Sequence, residues 1–241
     1  MPDIFRHATA QAAAAAAATR IVKIIQQIGA GAASRVSMAV SGGSTPKLLF
    51  QELVTRDVDW ALVHLFWVDE RAVPPSDNQS NFKMTKEFLL DSLKAPRPTV
   101  HRIQAELKPA EAARLYTDDI VNFFSLGAGE IPVFDIVQLG MGDDAHTASL
   151  FPGEPQIQNQ SGIAAALNVE KKKQWRITLL PGPIQQARYR ICLVAGSDKA
   201  EPLKSVLEAP MDPMRFPAQL ANTKHGPTEW YVDEAAASLL S

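Results

Sequence analysis

The chain of 241 residues has one cysteine, Cys192. A single thiol cannot close an internal disulfide, which points to a reducing compartment, the cytoplasm. Cys192 lies inside the apolar run YRICLVAG and reads as core filler. Basic residues are not in excess, since 24 Lys and Arg stand against 26 Asp and Glu for a formal charge of −2. Nothing in that balance drives binding to a nucleic-acid backbone, so no nucleic-acid partner is expected. The balance does not exclude a small anion held by a local cluster of cations.

Long hydrophobic runs are also missing. No stretch reaches the roughly 18–20 apolar residues of a membrane span, and no membrane partner is expected. Seven consecutive alanines at 12–18 do not make a signal peptide, because Asp3 and Arg6 precede them and the amphipathic RIVKIIQQI follows. Alanine is the best helix former, and the segment reads as a surface helix. No G-x-S-x-G elbow is present, which disfavours a serine esterase. The five histidines (7, 64, 101, 146 and 225) show no short ligand spacing, so no metal site is expected. There is no internal repeat and no evident linker.

The chain does carry an alternation of apolar runs and helical segments, with 46% hydrophobic residues, enough for a sizeable core. Strands are read at 35–41, 62–70, 133–140 and 189–196, and helices at 46–55, 81–93, 109–125 and 199–208. TEWYVDEAAASLL closes the chain as a short strand and a helix. The pattern predicts an α/β fold: a Rossmann-like, open, mostly parallel sheet with helices on both faces, in one domain over 1–241. In such sheets ligands sit at the carboxyl ends of the strands.

Four strand ends carry polar loops. The first is SGGSTPK at 41–47, where Gly42 and Gly43 allow close backbone approach, Ser44 or Thr45 can cap a helix, and Pro46 suits its first turn. Free amides at a helix start make an anion site. The second end puts Asp69, Glu70 and Arg71 together, with Arg71 able to fork onto a phosphate. The third is GMGDDAHTASLFPG at 140–153, where Gly140 and Gly142 shape the loop and HTASLF reads as a short helix with His146 in its first turn. There a helix dipole would favour the neutral imidazole that a general base needs, and Asp144 could orient the ring. The fourth, AGSDKA, places Lys199 at a helix start, and Arg176 precedes another apolar run. Each residue alone reads as readily as a solvated surface group or a plain turn. Together they describe a cationic crevice with one candidate base.

Two other motifs are weaker. GMGDDA fits G-x-G-x-x-A, but Pro152 and Gly153 leave room for only about two helical turns, which argues against a nicotinamide site. STPK at 44–47, SDN at 76–78 and KHG at 224–226 imitate the motifs of penicillin-recognising enzymes. Ser44, however, follows a buried strand directly, in a parallel-sheet pattern.

The loops SGGSTP, VDERAVPPSDNQSN, FDIVQLGMGDDAHTASLFPG, RITLLPGPIQQAR and GSDKA, in that order, resemble the 6-phosphogluconolactonases of the glucosamine-6-phosphate deaminase-like superfamily. The resemblance runs over nearly the whole chain. HTASLFPG is its most specific piece; the deaminase branch reads closer to GHIAFNEPG. That family commonly has glycine before the histidine, where this chain has Ala145. The resemblance implies hydrolysis of a 6-phosphorylated gluconolactone, with His146 as general base and with Arg71 and Lys199 on the phosphate. Ser44, Thr45, Gly42 and Gly43 would line the phosphate site, and Asp69, Arg176 and Gly142 the rest of the substrate. A small sugar-phosphate lactone is the implied partner, with no cofactor, on a monomer or weak homo-oligomer. The alternatives are an amino-sugar-phosphate isomerase or deaminase and a non-catalytic sugar-phosphate sensor.

Overall fold

The computed structural model describes residues 2–31, 35–223 and 225–241. Lys224 of the KHG motif lies outside them. Asp3–His7 forms β1, and Thr9 then caps α1 (Ala10–Gly29) by accepting a hydrogen bond from the Ala12 amide at 3.1 Å. α1 lies at the surface as expected, with Gln11, Lys23, Gln26 and Gln27 exposed, and it buries its other face. Ala13, Ala14, Ala17 and Ala18 are 0% exposed, on one stripe of the helix. Small side chains on that stripe bring α1 close to the sheet and to α2 (Ser44–Val54).

The apolar run Val36–Val40 is β2, and Val63–Trp67 is β3. The expected strand at 62–70 is in fact two. After Val68 the chain changes sheets and continues as β4 (Asp69–Arg71). Tyr116 stabilises the break: its hydroxyl accepts from the Trp67 amide at 3.0 Å and donates to the Trp67 carbonyl at 2.7 Å. The helix expected at 81–93 is α3 (Asn81–Phe88), followed by a short 3₁₀ turn. Next come β5 (Thr99–His101), α4 (Pro109–Phe124) and β6 (Ile136–Leu139). The hairpin β7 (Ala164–Val169) and β8 (Gln174–Leu179) leads to α5 (Pro181–Gln186), β9 (Tyr189–Val194), α6 (Ala200–Glu208) and β10 (Thr228–Asp233). Turns follow β10 where a terminal helix was expected.

Among the described residues the main sheet has the order β1-β10-β9-β6-β2-β3-β5, with every neighbouring pair parallel. β2 and β6 are buried at every position, as β9 nearly is, so both faces of the sheet are covered. From β2 the chain proceeds to β3 on one side, whereas β6 lies on the other. The loops after β2 and β6 therefore diverge, and a crevice opens between them. A second, antiparallel sheet, β4-β8-β7, stands beside this opening and was not expected from the sequence.

Candidate active site

The crevice at the divergence of β2 and β6 has a volume of about 210 Å³. Of the residues singled out above, Gly42, Gly43, Ser44, Thr45, Asp69, Arg71, Gly142, His146, Arg176 and Lys199 line it. Asp144 does not, but it lies directly behind His146.

Ser44 and Thr45 do not cap α2. Gly43 occupies the cap position with φ 117°, and no side chain closes the helix. A positive φ requires glycine there, and the first amides of α2 are left for an anion. Gly42 has a different reason to lack a side chain: a Cβ would lie 1.8 Å from Asn81 Oδ1.

Of the three charges after β3, each has its own partner. Glu70 accepts from the amides of Arg71, Asn81 and Phe82 and from the Ser80 hydroxyl at 2.7–2.9 Å, closing the start of α3. Burial pushes its carboxyl above the ordinary range while those four donors pull it back. Asp69 is buried, accepting from Ser149 Oγ at 2.6 Å and from Asn81 Nδ2 at 3.2 Å. Arg71 donates to the Gln79 carbonyl at 2.6 Å, and its Nε has no partner. Arg71 pairs in register with Arg176 across β4 and β8, so two guanidinium-bearing residues stand opposite each other at the crevice. Like charges so placed repel unless an anion or a carboxylate lies between them. Arg176 reaches Asp69 at 3.9 Å, and its Nε is also without a partner. Burial lowers its pKa, Asp69 raises it and Arg71 lowers it further.

The segment after β6 is not the expected helix, so no helix dipole acts on His146. Ala145 and Ala148 have φ of 64° and 49°, left-handed conformations that break any helical path. The loop is held instead by Gly142 N–H to the His146 carbonyl at 2.9 Å and by Thr147 Oγ to the Gly140 carbonyl at 2.9 Å. His146 stacks on Phe151 with centroids 4.1 Å apart, and its Nδ1 lies 2.5 Å from Asp144 Oδ1. Lys171, from the β7–β8 turn, donates to Asp144 Oδ2 at 3.1 Å. Burial alone would raise the Asp144 pKa, but the hydrogen bond and charge of His146, with Lys171, hold the carboxyl well below its ordinary range. An ionised Asp144 fixes the Nδ1–H tautomer, so Nε2 is left to accept a proton.

Lys199 lies at the start of α6, its Nζ 2.8 Å from Asp198, whose side chain is largely exposed. Asn81, Ser149 and Phe151 were missed in the sequence. Asn81 was legible as the first residue of a helix after a polar loop, whereas Ser149 and Phe151 gain their roles only from the fold. Cys192 is buried, and burial pushes its thiol up. His64 and His101 meet at 3.0 Å although 37 residues apart, and His101 reaches Asp119 at 3.0 Å. Among the described residues no group of three or more His, Cys, Asp or Glu is arranged to hold a metal ion. No described helix is long and apolar enough to cross a membrane.

An open parallel α/β fold with a crevice lined by Arg71, Arg176 and Lys199 at its switch point defines the general class. The chain belongs to the family described as glucosamine-6-phosphate isomerases/6-phosphogluconolactonase, whose profile matches residues 8–230. The 6-phosphogluconolactonase of Haemophilus influenzae is 36% identical over 209 residues, covering 85% of this chain and 88% of that protein. That of Synechocystis sp. is 35% identical over 223 residues, covering 92% and 90%. The solved structure of 6-phosphogluconolactonase from Trypanosoma brucei matches with a TM-score of 0.87 at 28% identity, covering 100% of this chain and 99% of that one.

Proposed function

We propose that the chain hydrolyses 6-phospho-D-glucono-1,5-lactone to 6-phospho-D-gluconate, the lactonase reaction for which these relatives are named. The observation that carries the reading is the Asp144–His146 pair opening on a crevice lined by Arg71, Arg176 and Lys199. A lactone is an activated ester, so water attacks it without a covalent enzyme nucleophile. His146 Nε2 takes a proton from that water as its oxygen bonds to C1. Asp144 orients the ring and stabilises the imidazolium as it forms. The carbonyl oxygen becomes an oxyanion facing the Arg176 guanidinium. The intermediate then collapses, the bond from C1 to the ring oxygen breaks, and the imidazolium returns its proton to that oxygen.

The phosphoryl group is assigned to Arg71 and Lys199, with Ser44, Thr45 and the uncapped start of α2 beside them. Its role is to hold C1 over His146. The test is turnover of the phosphorylated lactone against glucono-1,5-lactone without the phosphate, with spontaneous opening subtracted. Two charge-assisted contacts at about 1.5–3 kcal/mol each predict at least about 10²-fold lower kcat/KM for the unphosphorylated ring. Equal values for the two rings would contradict the assignment. Ammonia release from glucosamine 6-phosphate without lactone turnover would assign the deaminase reaction instead.

A further inference from the structure

Arg71 has a second pocket, one that neither His146 nor Lys199 lines. Its volume is about 210 Å³, and it shares Gly43, Ser44, Arg71 and Asn81 with the crevice. Beyond them it is lined by Lys47, Asn78, Lys83, Glu87 and Phe88, among others. Lys47 Nζ sits 5.1 Å over the Phe88 ring and has no carboxylate partner among the described residues. Lys83 donates to Asn78 Oδ1 at 2.5 Å and lies 3.7 Å from Glu87, whose side chain is half-exposed. Three cations thus face one carboxylate, a formal excess of two positive charges in a concave site. The start of α3 contributes nothing to an anion here, because Glu70 and Ser80 already accept from its amides. The start of α2 is uncapped and borders both pockets.

A lactone with one phosphoryl group fills the Arg71 position and leaves Lys47 with no anion and Lys83 sharing only the half-exposed Glu87. We infer that this pocket is a second anion subsite, joined to the crevice through Arg71, and that it takes the outer phosphoryl group of a di- or polyphosphate. The inner phosphoryl group of such a ligand lies on Arg71, so it excludes the lactone and acts as a competitive inhibitor. The inference rests on Arg71 as a phosphate contact and on no part of the hydrolytic mechanism.

Calorimetric titration of the intact protein with orthophosphate and with pyrophosphate tests it without using turnover. Pyrophosphate is expected to bind at least about ten-fold more tightly than orthophosphate to the wild type, the size of effect expected of one or two added charge-assisted contacts. A Lys47→Gln, Lys83→Gln double variant is expected to lose that advantage and keep the orthophosphate affinity. The same orthophosphate titration shows that the variant is folded. Equal binding of the two anions by the wild type would overturn the subsite, and so would a pyrophosphate advantage that survives in the double variant. Lactone turnover measured in parallel reports separately on the hydrolytic reading, so failure of one leaves the other standing.

Discussion

Gly142 and His146 occupy one another's space. A Cβ on Gly142 would lie 1.9 Å from His146 Nδ1 and 2.9 Å from Asp144 Oδ1. Gly142→Ala should therefore push the imidazole off Asp144 while leaving the sheet intact. Steady-state kinetics are expected to show a loss of about 10²-fold or more in kcat, the scale of a misplaced general base. Asp144 gives a second prediction, in stability. Its carboxyl titrates below the ordinary range in the folded chain, so its stabilising effect is complete above that range and is lost as pH falls through the folded value. The gap in unfolding free energy between wild type and Asp144→Asn is expected to be smaller at pH about 3 than at pH about 7, because an unfolded Asp titrates near 3.9. Urea unfolding at the two pH values checks this, and a gap that widens on acidification would contradict it. The presence of His146, Asp144, Arg71 and Lys199 at strand ends was legible in the sequence. The conformation of their loop was not, because alanine, a strong helix former, takes left-handed φ at both 145 and 148.

The elements with continuous apolar runs were readable for a physical reason. β2, β6 and β9 are covered on both faces, so hydrophobicity marks their whole length. β1 is an edge strand with four of its five residues exposed, and β5 is an edge strand of three residues, so neither carries that mark. β7 is built from AAALNV, where alanine gives little strand signal, and the sheet it forms with β8 and β4 depends on a change of sheet at Val68 that composition does not announce. The buried stripe of α1 makes a prediction at this scale. Ala17 is 0% exposed within the core, so Ala17→Leu adds volume where there is none. The expected cost is about 1–3 kcal/mol by denaturant titration. A change within about 0.5 kcal/mol, the range of exposed sites, would contradict close packing of this alanine stripe.

Across the whole molecule, function follows from where the strand order turns. β2 and β6 lead their loops apart, and the second sheet brings Arg71 and Arg176 into register beside the gap. Its β7–β8 turn also supplies Lys171 to Asp144, so the small sheet supports both the cationic wall and the Asp144–His146 pair. The strand-end rule brings the polar loops of the sequence to one crevice, because parallel strands carry their carboxyl ends to the same edge of the sheet. The contribution of the small sheet was invisible, because it pairs Asp69–Arg71 with strands that begin about a hundred residues further along the chain. In the proposed reaction one imidazole moves the proton. Turnover of freshly generated 6-phosphogluconolactone by purified His146→Ala, corrected for spontaneous opening, measures it most directly. A fall of about 10²–10⁴-fold in kcat with KM little changed is expected; wild-type turnover by that variant would remove His146 from the proton transfer.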